Sequence, residues 1–308
     1  RARKVLVRFV IDNGLKGVAA LSNVFPRSRR ARAQVDLVAK DVRYAPGHGE
    51  FRLLDVYRPK QYSGKLPVLF YVHGGGFRIL SKDTHRYFAY RFAAEGFLVV
   101  TINYRLTPAG AFPKALEDCT QALLWTLQHA PDYDGDLSRL VYSGESAGGN
   151  LSSALAICGS WKRDEPFARD IWDANPSPAA LVPACGLLEV GNPERYLERD
   201  DLPGWIKKRI AVVCSLYRPE PSGDDDLASP LRFLETAEPP ERPFPLVFAP
   251  CGEGDPIADD TRRLGSALER LQLPGSTEFY KGGHAFHAFP WSEQAEDCWT
   301  DQFNFIHG

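Results

Sequence analysis

The segment Gly144-Glu145-Ser146-Ala147-Gly148 follows directly on the apolar run Leu140-Val141-Tyr142, and this pairing decides the fold. A Gly-x-Ser-x-Gly sequence between a strand and a helix is typical of a sharp turn that holds its serine strained and exposed. Glycine is needed there because a β-carbon two positions before or after Ser146 would collide with the neighbouring backbone. Taken alone, the pentapeptide is also compatible with an ordinary flexible turn, since glycine and serine are common residues.

A second glycine motif, His73-Gly74-Gly75-Gly76-Phe77, follows the run Val68–Val72, which has the length and composition of a buried parallel strand. Three glycines let the backbone bend so that amide hydrogens point into a cavity. Such fixed donors stabilise the negative oxygen that forms when a carbonyl group is attacked. The alternative is a phosphate-binding loop, but this sequence has neither the lysine that such a loop requires nor the glycine spacing of a dinucleotide-binding motif. The two motifs in this order favour acyl-transfer chemistry.

These motifs, together with Asp255–Asp259 and His284–Phe286, carry a resemblance to a known family. The chain resembles the hormone-sensitive-lipase family of carboxylesterases. The resemblance implies the α/β-hydrolase fold, an α/β architecture with a mostly parallel central sheet flanked by helices and a helical cap. Further stretches extend the match over nearly the whole chain: Asn103–Pro108, Phe112–Asp118 and Ser229–Leu231.

The bulk composition excludes several classes of protein. A chain of 308 residues is long enough for one α/β enzyme domain that carries an insertion. Its 37 basic and 39 acidic residues give a formal charge of -2, so nucleic acid is not expected as a partner. Six dispersed cysteines without a Cys-x-x-Cys pair predict buried, reduced thiols and a reducing compartment.

The sequence shows no uninterrupted apolar run as long as a membrane-spanning helix, and residues 1–11 lack the core and cleavage site of a signal peptide. We therefore expect a cytoplasmic protein without stable membrane insertion. The basic run Arg27–Arg32 is interpreted either as a solvated surface arm or as a membrane-docking segment. The resemblance allows a homodimer, since dimers occur among relatives, but no sequence feature establishes one.

From Phe51 onward, short β-rich runs alternate with helical stretches, which predicts a mostly parallel sheet covered on both faces. The predicted strands are Phe51–Tyr57, Pro67–Val72, Phe97–Asn103, Arg139–Ser143, Ala179–Ala184, Phe244–Ala249 and Ser276–Tyr280. The predicted covering helices are Ala115–His129, Ala147–Cys158, Thr261–Leu271 and Ser292–Ile306. Residues 1 to about 45 are instead expected to be helical and loop-like, with Val5, Phe9 and Val10 on one helix face.

The alternation breaks down between Gly186 and Leu234, where the sequence is polar and contains prolines. This break predicts an insertion above Ser146, with one amphipathic segment, Trp205–Tyr217. Four apolar residues near it either line an acyl pocket or pack against the body: Leu202, Trp205, Ile206 and Ile210. The predicted units are the N-terminal part of the cap at 1–45, the catalytic domain at 46–185 and 236–308, and the cap insertion at 186–235.

A serine hydroxyl is a weak nucleophile, so it needs a nearby base and a third group that orients the base. In this fold the chain order is serine, acid, histidine. Asp255 follows the predicted strand Phe244–Ala249, and His284 follows the strand that ends at Tyr280. Both therefore fall at the carboxyl edge of the sheet that also carries Ser146. The sequence predicts a catalytic triad of these three residues.

Both partners of the serine have a local competitor. Asp259 and Asp260 follow closely, but the family pattern assigns the acid role to the first aspartate, Asp255. Asp259 is expected to face solvent or to cap the following helix. His287 repeats the His-Ala-Phe triplet. The family's histidine comes directly after the strand loop, which favours His284.

Three further positions carry structural expectations. By the resemblance, His73 positions the glycine loop and takes no part in proton transfer. Glu145 is either a hydrogen-bond partner behind the nucleophile or, by preference, a structural carboxylate. Gly110 stands where the family usually has histidine, a departure that concerns local packing more than catalysis.

The resemblance also implies an oxyanion hole made of the amides of Gly75, Gly76 and Ala147. The expected activity is that of a serine carboxylesterase that forms an acyl-enzyme, with a small uncharged ester of short or medium acyl chain as its substrate. This mechanism requires no metal and no organic cofactor. An arylamide or carbamate hydrolase on the same triad stays open as the alternative. A small-molecule binding protein is disfavoured because all three triad positions hold competent residues.

Overall fold

The structure, a computed structural model, describes residues 17, 22, 24–219 and 227–308. Eight strands of these residues form one sheet. They are β1 (Val35–Arg43), β2 (Leu53–Pro59), β3 (Leu66–Val72), β4 (Leu98–Ile102), β5 (Gly135–Glu145), β6 (Ala180–Ala184), β7 (Leu246–Gly252) and β8 (Gly275–Tyr280). Their order across the sheet is β1-β2-β4-β3-β5-β6-β7-β8.

The sheet is antiparallel only at one side. Strand β2 pairs antiparallel with both β1 and β4, and all other neighbours pair in parallel. The carboxyl ends of β3, β5, β7 and β8 therefore meet at one edge. In the register of β3 and β5, Val72 lies opposite Gly144, so the two glycine motifs leave the sheet side by side.

Helices cover both faces of the sheet. They are α1 (Pro26–Ala33), α2 (Arg86–Ala94), α3 (Lys114–His129), α4 (Ala147–Ser160), α5 (Pro166–Ala174), α6 (Glu194–Leu197), α7 (Gly204–Tyr217), α8 (Pro230–Thr236), α9 (Ala258–Leu271) and α10 (Glu293–His307). Because side chains alternate along a strand, β3 supplies both cores. Val68 and Phe70 pack into one buried cluster with α3, α4 and α9, and Leu69 and Tyr71 pack into the other with α2 and α10.

All seven predicted strands are present, as are the predicted helices, with ends that move by a few residues. The region before residue 45 differs from the prediction, because Val35–Arg43 forms an edge strand. The proposed helix face of Val5, Phe9 and Val10 lies outside the described residues. The basic run belongs to α1, where Arg27 donates hydrogen bonds to the carbonyls of Pro290 and Ser292.

The stretch between Gly186 and Leu234 lies outside the sheet, and its described residues include α6, α7 and the start of α8. The assignment of domain boundaries at 45, 185 and 235 stays a prediction. All six cysteines are free and buried, which confirms the prediction of unpaired core thiols. In the part of the chain that the structure describes, no helix combines the length and apolar character needed to cross a bilayer.

Candidate active site

Ser146 lies at the turn between β5 and α4 in a strained backbone conformation, with φ 56° and ψ -114°. Its amide donates to the Ala184 carbonyl at 2.9 Å, which fixes the turn. The flanking glycines are required by close approach. A β-carbon on Gly144 would lie 2.3 Å from the Gly148 oxygen, and one on Gly148 would lie 2.0 Å from the Val72 oxygen. The crowding that the sequence predicted on both sides of the serine is present.

The three predicted triad residues, separated by up to 138 positions in the chain, are joined by two hydrogen bonds. His284 Nε2 lies 2.9 Å from Ser146 Oγ, and His284 Nδ1 lies 2.8 Å from Asp255 Oδ2. Ser146 and Asp255 are buried, and the His284 side chain keeps 35% of its exposure. This is the arrangement in which an imidazole can take a proton from a hydroxyl while a carboxylate orients it.

Two loops bring the acid and the histidine together. The loop after β7 and the loop after β8 pack backbone against backbone, since the Gly254 amide donates to the Gly282 carbonyl at 2.9 Å. A β-carbon on Gly252 would lie 2.5 Å from the carbonyl oxygens of both Gly282 and Gly283. Asp255 is held further by the Ile257 amide, which donates to its Oδ1 at 2.9 Å.

The charges around His284 favour its protonated form. Burial by itself lowers the pKa of this imidazole, but the Asp255 carboxylate, with a smaller contribution from Glu145, raises it to about 9. For the acid Glu145, burial acts in the opposite direction and raises the pKa. The interaction of Glu145 with His85, His287 and His284 outweighs this and lowers its pKa to about 2. The site therefore contains two carboxylates that both stabilise positive charge on His284.

The glycine loop after β3 presents free donors to the same space. Gly75 and Gly76 have φ of 114° and 60°, a region that favours glycine. Both residues line the cavity beside Ser146, and within the described chain their amides have no hydrogen-bond acceptor. The same holds for the amide of Ala147, the first residue of α4. The three predicted oxyanion donors are thus brought to the neighbourhood of the serine.

The competing residues lie elsewhere. Asp259 is exposed and makes no helix-capping hydrogen bond. Of the two expectations for this residue, that it faces solvent is therefore the correct one. Asp260 is buried and accepts from the amides of Leu188 and Glu189 at 2.8 and 3.0 Å. It anchors the chain after β6. His287 is buried against aromatic rings, and burial lowers its pKa to about 4.

His73 and Gly110 have structural surroundings. The His73 ring stacks on Tyr104 at 4.4 Å between centroids, and the Tyr104 hydroxyl donates to the His73 carbonyl at 2.9 Å. Burial lowers the pKa of His73 to about 3, so the ring is neutral. At position 110 a β-carbon would lie 1.8 Å from the Arg105 oxygen. The departure from the family pattern is therefore accommodated by packing that only glycine allows.

A histidine and carboxylate pair beside the nucleophile was not found from the sequence. His85, just before α2, lines the cavity, and its Nε2 lies 3.6 Å from Glu145 Oε2 and 3.4 Å from the Gly74 amide nitrogen. The other ring nitrogen lies 3.0 Å from Thr84 Oγ1. Glu145 is buried. No local motif signals this pair, because its members are 60 positions apart along the chain.

The cavity at Ser146 has a volume of about 520 Å³ and is lined largely by apolar side chains. One wall is helix α7, which contributes Trp205, Ile206 and Ile210. Trp205 and Ile206 therefore line the cavity, and Ile210 both lines it and packs against the core. Leu202 packs against the core and is not among the residues that line the cavity, which is the other interpretation.

One group of potential metal ligands occurs among the described residues, and it overlaps the triad. It consists of Cys185, Asp255 and His284, whose ligand atoms lie within 4.8 Å of one another. Burial raises the pKa of the Cys185 thiol well above its usual value, and a protonated thiol is a poor ligand. Since Asp255 and His284 already share a hydrogen bond, we assign the group to hydrogen bonding.

Comparison with known proteins places this geometry in a family. A family model described as the alpha/beta hydrolase fold matches residues 69–290, which include both glycine motifs, the acid and the histidine. The chain belongs to the alpha/beta-hydrolase family. The match confirms the resemblance to hormone-sensitive-lipase-like carboxylesterases, the predicted fold class and the enzyme class of carboxylic ester hydrolases.

Named relatives of this alpha/beta-hydrolase include two esterases. The versiconal hemiacetal acetate esterase of Dothistroma septosporum is 29% identical over 76% of this chain and 71% of its own length. The acetyl esterase of Salmonella schwarzengrund is 29% identical over 78% of this chain and 71% of its own length. Among solved structures, a hyperthermophilic esterase from the archaeon Pyrobaculum calidifontis superposes with a TM-score of 0.74, at 23% identity over 99% of this chain and 96% of that one.

Proposed function

We propose that this alpha/beta-hydrolase is a serine carboxylesterase that cleaves esters with short or medium acyl chains through an acyl-enzyme. The observation that carries the proposal is the continuous path from hydroxyl to imidazole to carboxylate, 2.9 Å and then 2.8 Å long. A serine activated in this way, beside free backbone donors, is equipped for attack on a carbonyl carbon.

In the first half of the reaction, Ser146 Oγ attacks the ester carbonyl carbon while its proton passes to His284 Nε2. The negative charge that develops on the carbonyl oxygen is stabilised by the amides of Gly75, Gly76 and Ala147. Asp255 holds the imidazole through Nδ1 and stabilises its protonated form. His284 then returns the proton to the leaving alcohol, and the acyl group stays on Ser146.

In the second half, water replaces the alcohol. His284 takes a proton from this water, whose oxygen attacks the acyl carbon of the acyl-enzyme. The same three amides stabilise the second oxyanion. Collapse of that intermediate breaks the bond to Ser146 Oγ, which recovers its proton from His284, and the carboxylic acid leaves.

The cavity supports an uncharged substrate of limited length. About 520 Å³ is within the usual range for a small-molecule site, and its largely apolar lining matches an acyl chain. The named relatives act on acetate and acetyl esters according to their names. We infer that acetate to medium-chain acyl groups fit between Ser146 and helix α7.

The experiment is a series of nitrophenyl esters from acetate to dodecanoate, combined with labelling by a fluorophosphonate. We expect turnover of the short and medium esters and a single covalent adduct that peptide mass spectrometry places on Ser146. Absence of both turnover and adduct would refute the proposed function.

Two further readouts separate the alternatives. A matched acetanilide tests arylamide hydrolysis, and anilide turnover that equals or exceeds ester turnover would replace the ester assignment. Tight binding of an ester without turnover, unchanged in Ser146→Ala, would indicate a binding protein instead.

A further inference from the structure

Helix α7 contacts the glycine loop as well as the cavity. Its first turns contribute Trp205, Ile206 and Ile210 to the cavity wall. One turn further on, Val213 also lines the cavity and in addition reaches the glycine loop. A β-carbon on Gly76 would lie 3.0 Å from Val213 Cγ2 and 3.3 Å from Cγ1. The methyl groups of Val213 therefore occupy the space where a side chain on Gly76 would project, next to the backbone of a proposed oxyanion donor.

The next turn of helix α7 contacts Phe77, the residue that follows the three glycines. The rings of Phe77 and Tyr217 stack with centroids 3.6 Å apart and planes only 2° from parallel. Both side chains are fully buried. Tyr217 is the last residue of α7, so the stack fixes the end of the helix to the end of the motif.

Phe77 needs such a contact because its backbone is strained. Its φ is 57°, in the left-handed region, which is unfavourable for a bulky residue. A residue in this region persists only where its surroundings hold it. Phe77 is also packed in the main core cluster, and its carbonyl accepts a hydrogen bond from the Thr107 amide at 2.7 Å.

The other partner of the stack is fixed as well. The Tyr217 carbonyl accepts from the Phe112 amide at 2.8 Å, so the end of α7 is tied to the chain before α3. The stack thus joins two anchored segments, and the glycines lie between it and β3. A shift of Tyr217 would be transmitted to Phe77 and from there to the amides of Gly75 and Gly76.

We propose that Tyr217 and Val213 are positioning residues for the oxyanion hole, so that the helix that forms the acyl-pocket wall also sets the donor geometry. The proposal rests on the proposed function for its catalytic meaning. It differs from a pocket-wall role in one respect: loss of the contact should slow even the acetate ester, whose acyl group is too short to depend on the pocket.

The variants are Tyr217→Leu, which removes the stack, Tyr217→Phe, which keeps the ring, and Val213→Ala, which removes the contact at Gly76. Val212→Ala is the matched control, because Val212 lies on the same helix but is half exposed. Thermal melting accompanies each variant, so that kinetic constants are compared only for folded protein.

We expect Tyr217→Leu to lower kcat by up to about 100-fold, the usual cost of a misplacement near 1 Å. The factor should be equal for acetate and for longer esters, with KM little changed. Val213→Ala should show a smaller loss of the same kind. Tyr217→Phe and Val212→Ala should keep the wild-type kcat. A loss confined to longer esters, or a loss in Tyr217→Phe as large as in Tyr217→Leu, would overturn the proposal.

Amide hydrogen exchange gives a readout that needs no activity. The amides of Ile79 and Thr107 donate to the carbonyls of Gly75 and Phe77, so they report on the loop. Both should exchange faster in Tyr217→Leu and stay unchanged in Val212→Ala. Unchanged exchange in Tyr217→Leu would overturn the coupling. An inert wild type with faster exchange in this variant would contradict the proposed function but support the coupling.

Discussion

The two sides of the cavity are built by different means. We call the sheet edge with Ser146, Asp255, His284 and the glycine loop the floor, and helix α7 the roof. The floor is fixed by backbone contacts, where glycines let main chains approach to distances that a β-carbon would forbid. The roof depends on side-chain packing and is partly exposed, with Trp205 at 59% and Val212 at 50%.

This difference separates chemistry from selectivity. Backbone contacts define atomic positions closely, which a proton transfer needs, whereas apolar side-chain contacts are less directional and can adapt to different acyl groups. Changes to the reacting residues of the floor should therefore lower kcat for every ester alike. Changes to the cavity-lining residues in the first turns of helix α7, such as Trp205, Ile206 and Ile210, should alter the preference among esters.

The largest effect is expected from removal of the nucleophile. Ser146→Ala should lower kcat by roughly 10⁶-fold for all esters, as in serine hydrolases that act through a triad. Ser152→Ala is the control, since Ser152 is a buried serine of the next helix that bonds to the Gly149 carbonyl. Burst and steady-state assays of both variants check this. Residual turnover within a hundredfold of wild type in Ser146→Ala would contradict the assignment of Ser146 as the nucleophile.

The next effect concerns the carboxylate behind the histidine. Asp255→Asn should lower kcat by about 10⁴-fold, because an amide favours the wrong tautomer of His284. The control is Asp259→Asn, four positions away and exposed, with a 3.6 Å ion pair to Arg195 that contributes little. Steady-state kinetics on one short ester are sufficient. Equal losses in the two variants would contradict the choice of the first aspartate.

On the roof we expect a smaller, substrate-dependent effect. Ile210→Ala removes methylene groups from the cavity wall, which is worth about 1–3 kcal/mol of binding to a long acyl chain. The ratio of kcat/KM for hexanoate to that for acetate should fall about tenfold or more, and Val212→Ala should leave it unchanged. A uniform loss for all chain lengths would show that this turn of the helix also belongs to the chemistry.

The smallest effect is a shift of the pH profile of kcat/KM. Only neutral His284 can accept the serine proton, so kcat/KM should rise with pH as this group loses its proton, whose pKa is raised to about 9. Glu145→Gln removes a negative charge that favours the protonated imidazole, so the rise should move to lower pH. At a fixed pH below the rise, activity changes about tenfold for each pH unit of displacement.

The control for this variant is Glu253→Gln, because Glu253 is exposed and its charge is screened by solvent. Full pH profiles of kcat/KM for wild type and both variants are the measurement. A profile for Glu145→Gln that coincides with that of wild type, or moves to higher pH, would exclude the electrostatic role of Glu145.

Much of the floor could be predicted from the sequence because its constraints are local. The crowding at Ser146 requires Gly144 and Gly148, and both are only two positions from it in the chain. Asp255 and His284 each lie in the loop that follows a strand, and parallel strands bring their carboxyl ends to one edge. Strand order was therefore sufficient to place both at this edge, whereas the choice between them and their local competitors came from the family pattern.

The missed features have no local signal. Strand β1 was not predicted because its pairing with β2 contains two register shifts, which destroy the alternation of buried and exposed residues. The His85 and Glu145 pair and the Phe77 and Tyr217 stack join residues that are 60 and 140 positions apart. Such contacts follow from tertiary packing, and a single sequence does not encode them in any periodic pattern.

Gly148 packs so closely against the Val72 carbonyl that a β-carbon at this position would lie 2.0 Å from the carbonyl oxygen. This close contact has a consequence for engineering. Strand β3 runs without interruption into the glycine motif, so this contact makes the reactive hydroxyl and the donor amides parts of one rigid backbone unit. Apart from the stack of Phe77 on Tyr217, their spacing is set by this main-chain contact and not by the side chains of the hydrophobic interior. Core substitutions away from Phe77 and Tyr217 should therefore lower the melting temperature well before they misalign the reaction centre, and a core redesigned around an intact stack should retain the active geometry.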